Sequence, residues 1–444
     1  MGRCAVSTQK QKRPFALRAL AAFAGTLAIL FGLLLAAYAL PGERVRQHVY
    51  DSARTIQNEG LYPEYLGFKL FQMDNYTDTL MLFEAASADE LPPLQAMMTN
   101  TAYNVDNFET LADDLAWYIE KDWSTGAQRT DAPALEPFSY ARYWHGYLIW
   151  LRPLLLLMPY TGVRIVQYIV LFALLAVVLV QLRRRCGLRA AVWFAVSQLA
   201  VSVWFVPHQV QYFTCFMIAY AGCAWVLAKP RRSDVLCLGL LVLGTATAFC
   251  DLLVTPIITL GLPLTCWLLE PQQRLRGGVP QCALAVGGSL CWGTGYALCW
   301  AGKWALAGAV TNNNVLADAL HQAEVRTTAD TWHGMELTWR NIFIFLYDTL
   351  NSRHLFWPAL AVLAVLIALF ILSIRSKTAL VRALPLALTT CMTPAWFVLL
   401  RTHSIQHGWF TWRALGLTVF AGLAFLYYAC DLRAARRRLQ KGSI

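Results

Sequence analysis

Long apolar runs separated by short polar connections dominate this chain. The first run extends from about Ala19 to Leu40, and a polar stretch follows it to about Trp150. Nine more runs lie near 164–182, 190–206, 211–228, 235–250, 252–269, 280–302, 355–374, 383–400 and 414–430. Most approach the roughly 18 to 25 residues that a helix needs to cross a hydrocarbon core about 30 Å thick. Inside a bilayer the backbone must satisfy its own hydrogen bonds, so such runs read as helices. The expected fold is all-α: a polytopic transmembrane helical protein with about ten spans. The first run follows Lys10, Lys12, Arg13 and Arg18, and Ala37-Tyr38-Ala39 imitates a signal-peptidase site. A signal peptide has an apolar segment of about 7 to 15 residues, so this longer run reads as an uncleaved first span.

Charge sharpens the picture. Arg183, Arg184, Arg185 and Arg189 follow the second run; Lys229, Arg231 and Arg232 follow the fourth. Arg274 and Arg276 follow the sixth, and Arg375, Lys377 and Arg382 the eighth. Arg433, Arg436, Arg437, Arg438 and Lys441 lie beyond the last. Every second connection is basic, so one orientation with both termini cytoplasmic satisfies the positive-inside rule. The weakest joint is between the fifth and sixth runs, around Cys250 and Asp251. The expected organisation is a single integral membrane domain, 1–444, with two large extracytoplasmic loops, 41–150 and 303–354. Its expected location is a bacterial cytoplasmic membrane.

Composition agrees. Hydrophobic residues make up 57% and charged residues only 14%, too few charges for a soluble protein of this length. The net charge of +11 resides in the basic connections and forms no continuous stripe, which argues against a nucleic-acid partner. Seventeen of the 26 acidic residues fall in the first loop, where Glu109–Glu120 reads as helical, so that loop is expected to be a folded, partly helical cap. Trp150–Tyr160 is apolar but interrupted by proline, and reads as a helix at the membrane interface. All eight histidines fall on the outer side of this topology, which points the chemistry outward. None of the twelve cysteines lies between Leu40 and Trp150, and most sit in apolar runs, so they read as small apolar residues. No Walker motif, GxGxxG or CxxC occurs.

Four constellations can carry chemistry. In Gln72-Met73-Asp74-Asn75-Tyr76-Thr77-Asp78 a carboxylate near the membrane surface can act as a general base, and Asp74 and Asp78 share a face if the segment is helical. The alternative role is a helix cap. In Tyr140-Ala141-Arg142-Tyr143-Trp144-His145-Gly146-Tyr147, aromatic faces suit a sugar ring, while Arg142 and His145 suit hydroxyls or a phosphate. A membrane-interface belt has the same composition. Asp251, between two apolar runs, is expected to face a polar cavity, to pair with a cation or to sit at the surface. In Arg401-Thr402-His403-Ser404-Ile405-Gln406-His407, the two histidines are four apart but lack the Glu of a metalloprotease motif, so no metal site is expected. Arg152, Arg164, Arg353, Arg401 and Arg413 fall on the outer side against the charge bias. Together they suit an anionic ligand such as a phosphate.

Taken together, these features resemble the GT-C superfamily of membrane glycosyltransferases, which use polyprenyl-phosphate sugars. The resemblance covers most of the chain as architecture. The motif that carries it is Met73-Asp74-Asn75, in the outer loop after the first span, where that superfamily places an essential acid. It implies transfer of a sugar from a polyprenyl-phosphate donor to an extracytoplasmic glycan, protein or lipid acceptor. Asp74 would be the catalytic base. Asn75, Asp78, Arg142, Tyr143, His145, Asp251, His403 and His407 would contact substrate, and Arg152, Arg401 and Arg413 the lipid phosphate. No cofactor is obligatory, and a divalent cation is not required. The chain departs from the family in lacking a paired Asp-x-Asp or Glu-Asp beside Asp74; Asp113-Asp114 lies well downstream. Two other classes share parts of the pattern: O-antigen-type polysaccharide polymerases or ligases, and lipid or polysaccharide transporters or flippases. The polymerases place their largest loop late in the chain.

Overall fold

The computed structural model describes residues 14–88, 90–103, 137–276, 278–328, 331–332, 335–336, 338, 341–342, 344–351, 354 and 356–431. The expected helix at Glu109–Glu120, the pair Asp113-Asp114, and Arg353 lie outside these residues. The described chain is helical apart from two short hairpins. The helices are α1 (Phe15–Tyr38), α2 (Glu43–Glu59), α3 (Asn75–Ser87), α4 (Pro93–Thr99), α5 (Leu148–Leu155), α6 (Tyr160–Cys186), α7 (Leu188–Ala200) and α8 (Val210–Ala228). There follow α9 (Ser233–Cys250), α10 (Ile257–Leu269), α11 (Gly278–Thr311), α12 (Val315–Thr328), α13 (Ile344–Asn351), α14 (Phe356–Ser373), α15 (Lys377–Leu399) and α16 (Leu415–Ala429). Strand β1 (Thr101–Tyr103) pairs antiparallel with β2 (Pro137–Ser139), Ala102 opposite Phe138; β3 (Thr331–Trp332) pairs with β4 (Met335–Glu336).

Eight helices are long and apolar enough to cross a membrane: α1, α6, α8, α9, α11, α14, α15 and a last one that starts at Gly408 and runs through α16. The other two expected spans are the 13-residue helices α7 and α10. At 1.5 Å per residue each covers about 20 Å, less than a hydrocarbon core. Irregular backbone adjoins each on the same side of the bundle. A 3-10 turn, Val203–His208, follows α7, and Asp251–Pro256 precedes α10. Every residue of α10 is buried. That explains how non-helical backbone is tolerated there: it is enclosed by protein and not by lipid.

The helices pack by size complementarity. Helices α9 and α11 approach closely where Gly244 meets the Trp292 carbonyl and Gly295 meets the Leu241 carbonyl. A Cβ on either glycine would lie about 2 Å from the opposing oxygen, so only glycine permits the contact. Helix α8 lies at the centre, with most of its length enclosed, whereas in α1 only Leu34, Ala37 and Tyr38 are buried. The eleven described cysteines are free, and six of them are buried, out of reach of reaction.

One end of the bundle gathers the basic connections. Arg18 pairs with Asp234 at 2.9 Å, Arg185 with Glu270 at 2.8 Å, and Arg274 donates to the Tyr428 hydroxyl at 2.5 Å. The opposite end carries α2–α5, the two hairpins and α12. The described residues of the polar stretch after α1 are thus folded and partly helical. Helix α5 buries one face, Leu148, Leu151, Arg152 and Leu155, under the cap, while Ile149, Trp150, Pro153 and Leu154 are half-buried. The expected second loop also starts later than Lys303. Helix α11 continues to Thr311, because the Lys303 amine is buried and bonded to the Met97 carbonyl at 2.7 Å and Asn100 Oδ1 at 2.6 Å.

Candidate functional site

The cap end holds two polar assemblies. The first is built on the start of α3. Asp74 is the N-cap of that helix: Oδ1 accepts from the Thr77 amide at 3.0 Å and Oδ2 from the Thr77 hydroxyl at 2.8 Å. This is what an Asp preceding a helical run does to the unpaired first-turn donors. Its own amide donates to Gln209 Oε1 at 2.8 Å, and Gln209 Nε2 donates to Asn75 Oδ1 at 3.0 Å. Asn75 Nδ2 reaches the Gly60 carbonyl at 2.9 Å and Glu59 at 3.2 Å. Burial raises the Asp74 carboxyl above the usual range, against the bonds from Thr77 and Gln211.

Asp78 lies one turn further on and is completely buried. It accepts from the Tyr160 hydroxyl and from the first amides of α8, Val210 at 3.3 Å and Gln211 at 3.5 Å. Burial pushes it up to about 7, against the Tyr160 hydrogen bond and the nearby Arg164. Arg164 makes a two-pronged pair with Glu59, at 2.5 and 2.9 Å. Burial raises Glu59, but His208 and Arg164 outweigh it and hold that carboxyl at about 2. Asn75 and Asp78 therefore join α2, α3, α6 and α8, and their polar atoms are taken up within the fold.

The second assembly surrounds a cavity of about 120 Å³ beside α11, α12 and α15. Arg142 and Arg326 line it, with Tyr143, Tyr296, Trp300, Trp304 and Trp396. The aromatic wall is a ladder along one face of α11: Trp292, Tyr296, Trp300 and Trp304 follow at four-residue spacing, with successive ring centroids 4.8, 4.8 and 6.0 Å apart. Arg142 lies over the Tyr140 ring at 4.6 Å and pairs with the half-exposed Asp318 at 3.3 Å. Arg326 bonds only to Gln322 of its own helix, at 3.0 and 3.1 Å, and pairs with no acid among the described residues. Arg142 Nε, Tyr296 Oη and Trp300 Nε1 are buried without a hydrogen-bond partner among the described residues.

The segment that carries Arg142 is fixed by a glycine. Gly146 donates to the Phe249 carbonyl at 2.9 Å, and a Cβ there would lie 2.5 Å from that oxygen. This docking stacks Trp144 on Phe249 at 4.7 Å. It also sends His145 inward, away from the cavity lining: Nδ1 lies 2.7 Å from Glu84 and Nε2 3.0 Å from the Tyr140 carbonyl.

Asp251 and the histidines reach the cavity through one residue. The Leu253 side chain lines it, and the Leu253 carbonyl is 2.9 Å from His403 Nε2. Asp251 accepts from the Val254 amide at 3.1 Å and so holds the turn that presents Leu253. Burial pushes Asp251 up to about 6, against Cys215 and the turn amides. Burial, with Arg326 adding to it, lowers His407 to about 4; His403 is lowered further, by burial, His407 and Arg326. From His403 a row of rings leads toward Asp74: His407 at 4.7 Å, then Trp409 at 5.4 Å, then Tyr62 at 5.9 Å. Burial and the Asp74 charge together push Tyr62 up to about 12. No group of three or more His, Cys, Asp or Glu among the described residues could hold a metal.

The three arginines expected to hold a phosphate lie apart from this lining. Arg152 is fully buried and donates to the Tyr38 and Leu40 carbonyls, at 3.1 and 3.0 Å, capping the C-terminus of α1. Arg413 is buried over the Tyr212 ring at 4.6 Å and donates to the Trp409 and Leu70 carbonyls, at 3.1 and 3.4 Å. It anchors the segment leading to Asp74. Arg401 follows Leu400, which lines the cavity, but is not itself in the lining. Sequence reasoning brought Arg142 and Tyr143 to the cavity and missed Arg326 and the α11 ladder. The four-residue aromatic spacing signalled the ladder; Arg326 carried no comparable signal. Compared with family models, with curated proteins and with solved structures, the chain finds no match.

Proposed function

We propose that this protein is a membrane glycosyltransferase that moves a sugar from a polyprenyl-phosphate donor to an acceptor on the extracytoplasmic side. The observation that carries this reading is the cavity, which combines two guanidinium groups with an aromatic ladder at the end of the bundle opposite the basic connections. A guanidinium matches phosphate oxygens bidentately. Aromatic faces suit the C–H surface of a sugar and the methyl-rich chain of an isoprenoid. With the basic connections cytoplasmic, the cavity faces the outer leaflet.

In the reaction the acceptor hydroxyl forms a bond to the anomeric carbon while the bond from that carbon to the donor phosphate breaks. The hydroxyl proton passes to a carboxylate, and the phosphate leaves as an anion stabilised by Arg142 and Arg326. Asp74 is the proposed base. Burial raises its proton affinity above that of an ordinary carboxylate, and the rings of Tyr62, Trp409, His407 and His403 form a row that leads from its neighbourhood toward the cavity. The acceptor would enter along that row of rings.

Asp74→Asn tests the reading, because Asn caps a helix as well as Asp does. The fold is therefore kept while the basicity is lost. Transfer from a labelled polyprenyl-phosphate sugar in membranes should fall by about 100-fold, with donor binding near normal. Full transfer activity would reduce Asp74 to a helix cap and remove it from the mechanism. Asp78→Asn is no neutral control, since Asp78 joins three helices; Asp51→Asn, at an exposed acid of α2, replaces it.

A further inference from the structure

We propose that the basic end of the bundle holds a second site, for the phosphate of an anionic ligand whose headgroup also carries a hydroxyl. The glycerol phosphate of phosphatidylglycerol is the form that a membrane supplies. The site is a cavity of about 340 Å³ between the turn Pro271–Arg274 and the starts of α11 and α15, closed on one side by Tyr428 near the end of α16. Arg274, Arg375 and Arg382 line it, and no acidic residue does.

None of these arginines forms an ion pair with a described acid. Arg274 donates to the Tyr428 hydroxyl and Arg375 Nε to the Cys430 carbonyl, each at 2.5 Å, so both are held in place by uncharged groups. Among the described acids of this end, Asp234 pairs with Arg18 and Arg232 and Glu270 with Arg185, while Asp431, whose amide bonds to the Ser373 carbonyl, lies outside the lining. The first turn of the 23-residue helix α15 adds to the field: Ser376 caps it, and Thr378 and Ala379 line the cavity. A helix start carries a partial positive charge and favours an anion.

Gln281 supplies the second, independent feature. It lines the cavity, is 4% exposed, and its Oε1 is buried without a hydrogen-bond partner among the described residues. Its Nε2 donates to the Gln273 carbonyl at 3.1 Å and to Gln273 Oε1 at 3.2 Å. Turning the amide over would set its oxygen against two acceptors, so the orientation is fixed and the free oxygen calls for a donor. A headgroup hydroxyl is such a donor, and three arginines exclude a headgroup ammonium. The positive-inside bias accounts for basic residues in the connections. It does not account for a concave site with no acid in its lining and an unsatisfied buried amide.

The test uses the full-length protein, purified in detergent and delipidated, with bound lipid read by native mass spectrometry. Phosphatidylglycerol should be retained in preference to phosphatidylcholine. Arg382→Gln, at an exposed position that does not threaten folding, should weaken that retention about tenfold, the loss of one charge-assisted contact. Arg183→Gln, an exposed basic residue at the same end but outside the lining, should leave it unchanged. Gln281→Leu should abolish any preference for phosphatidylglycerol over phosphatidic acid, which lacks the headgroup hydroxyl. Failure of millimolar inorganic phosphate to displace the lipid assigns the site to a lipid headgroup; displacement that Arg382→Gln weakens assigns it to a soluble phosphate compound. Equal effects of Arg382→Gln and Arg183→Gln, or equal retention of phosphatidylcholine, would overturn the proposal. Neither outcome depends on transferase activity.

Discussion

The Asp78–Glu59 cluster and the arginine cavity lie at the same end of the bundle, yet they treat their polar atoms in opposite ways. Around Asp78 a buried carboxylate is met by a tyrosine hydroxyl and two helix-start amides, and Glu59 is met by a forked arginine. Around the cavity, Arg326 has no acid and Tyr296 and Trp300 keep unpaired polar atoms among the described residues. Buried polar groups are ordinarily satisfied, because leaving one unmade costs about 1 to 3 kcal/mol. The Asp78 carboxylate, met by a hydroxyl and two amides, therefore reads as architecture, although Arg164 Nε beside it has no partner among the described residues; unsaturated groups that line open space read as a place for a ligand. The contrast separates residues that hold the cap on the bundle from residues that wait for substrate.

The largest effect expected on the cavity side is at Arg326. Arg326→Gln removes a charge that no described acid needs, so folding should be unaffected. Donor KM in the transfer assay should rise about tenfold, with a smaller change in kcat. An unchanged KM would break the comparison by showing that the unpaired guanidinium faces no phosphate. Trp300→Leu should act in the same direction but less, with KM raised several-fold, since one aromatic face contributes about 0.5 to 1.5 kcal/mol. Trp292→Leu, one rung below the cavity lining, is the matched control and should leave KM unaltered.

These residues also show what the sequence made legible. Apolar length was enough to place eight long helices, because hydropathy is the physical requirement for facing lipid. It could not show that α7 and α10 are short, because a helix enclosed by protein has no need to match the bilayer, and α10 is enclosed on every side. The Met73-Asp74-Asn75 segment was found, but a capping role and a basic role use the same residue in the same place. Arg152 was assigned to a phosphate because an outer arginine is conspicuous. Which carbonyls end α1 beside it is a tertiary fact. Lys303 was placed in a loop for the same reason, since a lysine ends an apolar run unless distant carbonyls receive it. Arg326 sits in an amphipathic outer helix, where nothing local distinguishes it from a solvated charge.

The smallest expected effect concerns stability, and it sets the two assemblies against each other along the pH scale. Asp78 has an ordinary value of 3.8 and is pushed up to about 7 in the fold. Between those values the folded chain keeps a proton that the unfolded chain has lost. Its contribution to stability is thus full below 3.8, declines as pH rises to about 7, and is flat beyond. His407 is the reverse: 6.5 ordinarily and about 4 in the fold. Between those values the unfolded chain takes up a proton that the folded chain refuses, so stability is full above 6.5 and is lost as pH falls toward 4. The two slopes oppose, and each is at most about 1.4 kcal/mol per pH unit, equivalent to a few degrees in Tm for a chain of this size. In Asp78→Asn one falling slope disappears, so from about pH 4 to 6.5 the Tm measured in detergent should rise with pH relative to wild type. In His407→Gln one rising slope disappears, so Tm should fall with pH relative to wild type over about the same interval. The reading is relative because Asp251, pushed up to about 6, and His403, lowered by burial, add slopes common to all three proteins. Should Asp78→Asn keep the wild-type profile, the hydrogen bonds at Asp78 must offset its burial in full, and saturation of that cluster would extend to its charge as well as its geometry.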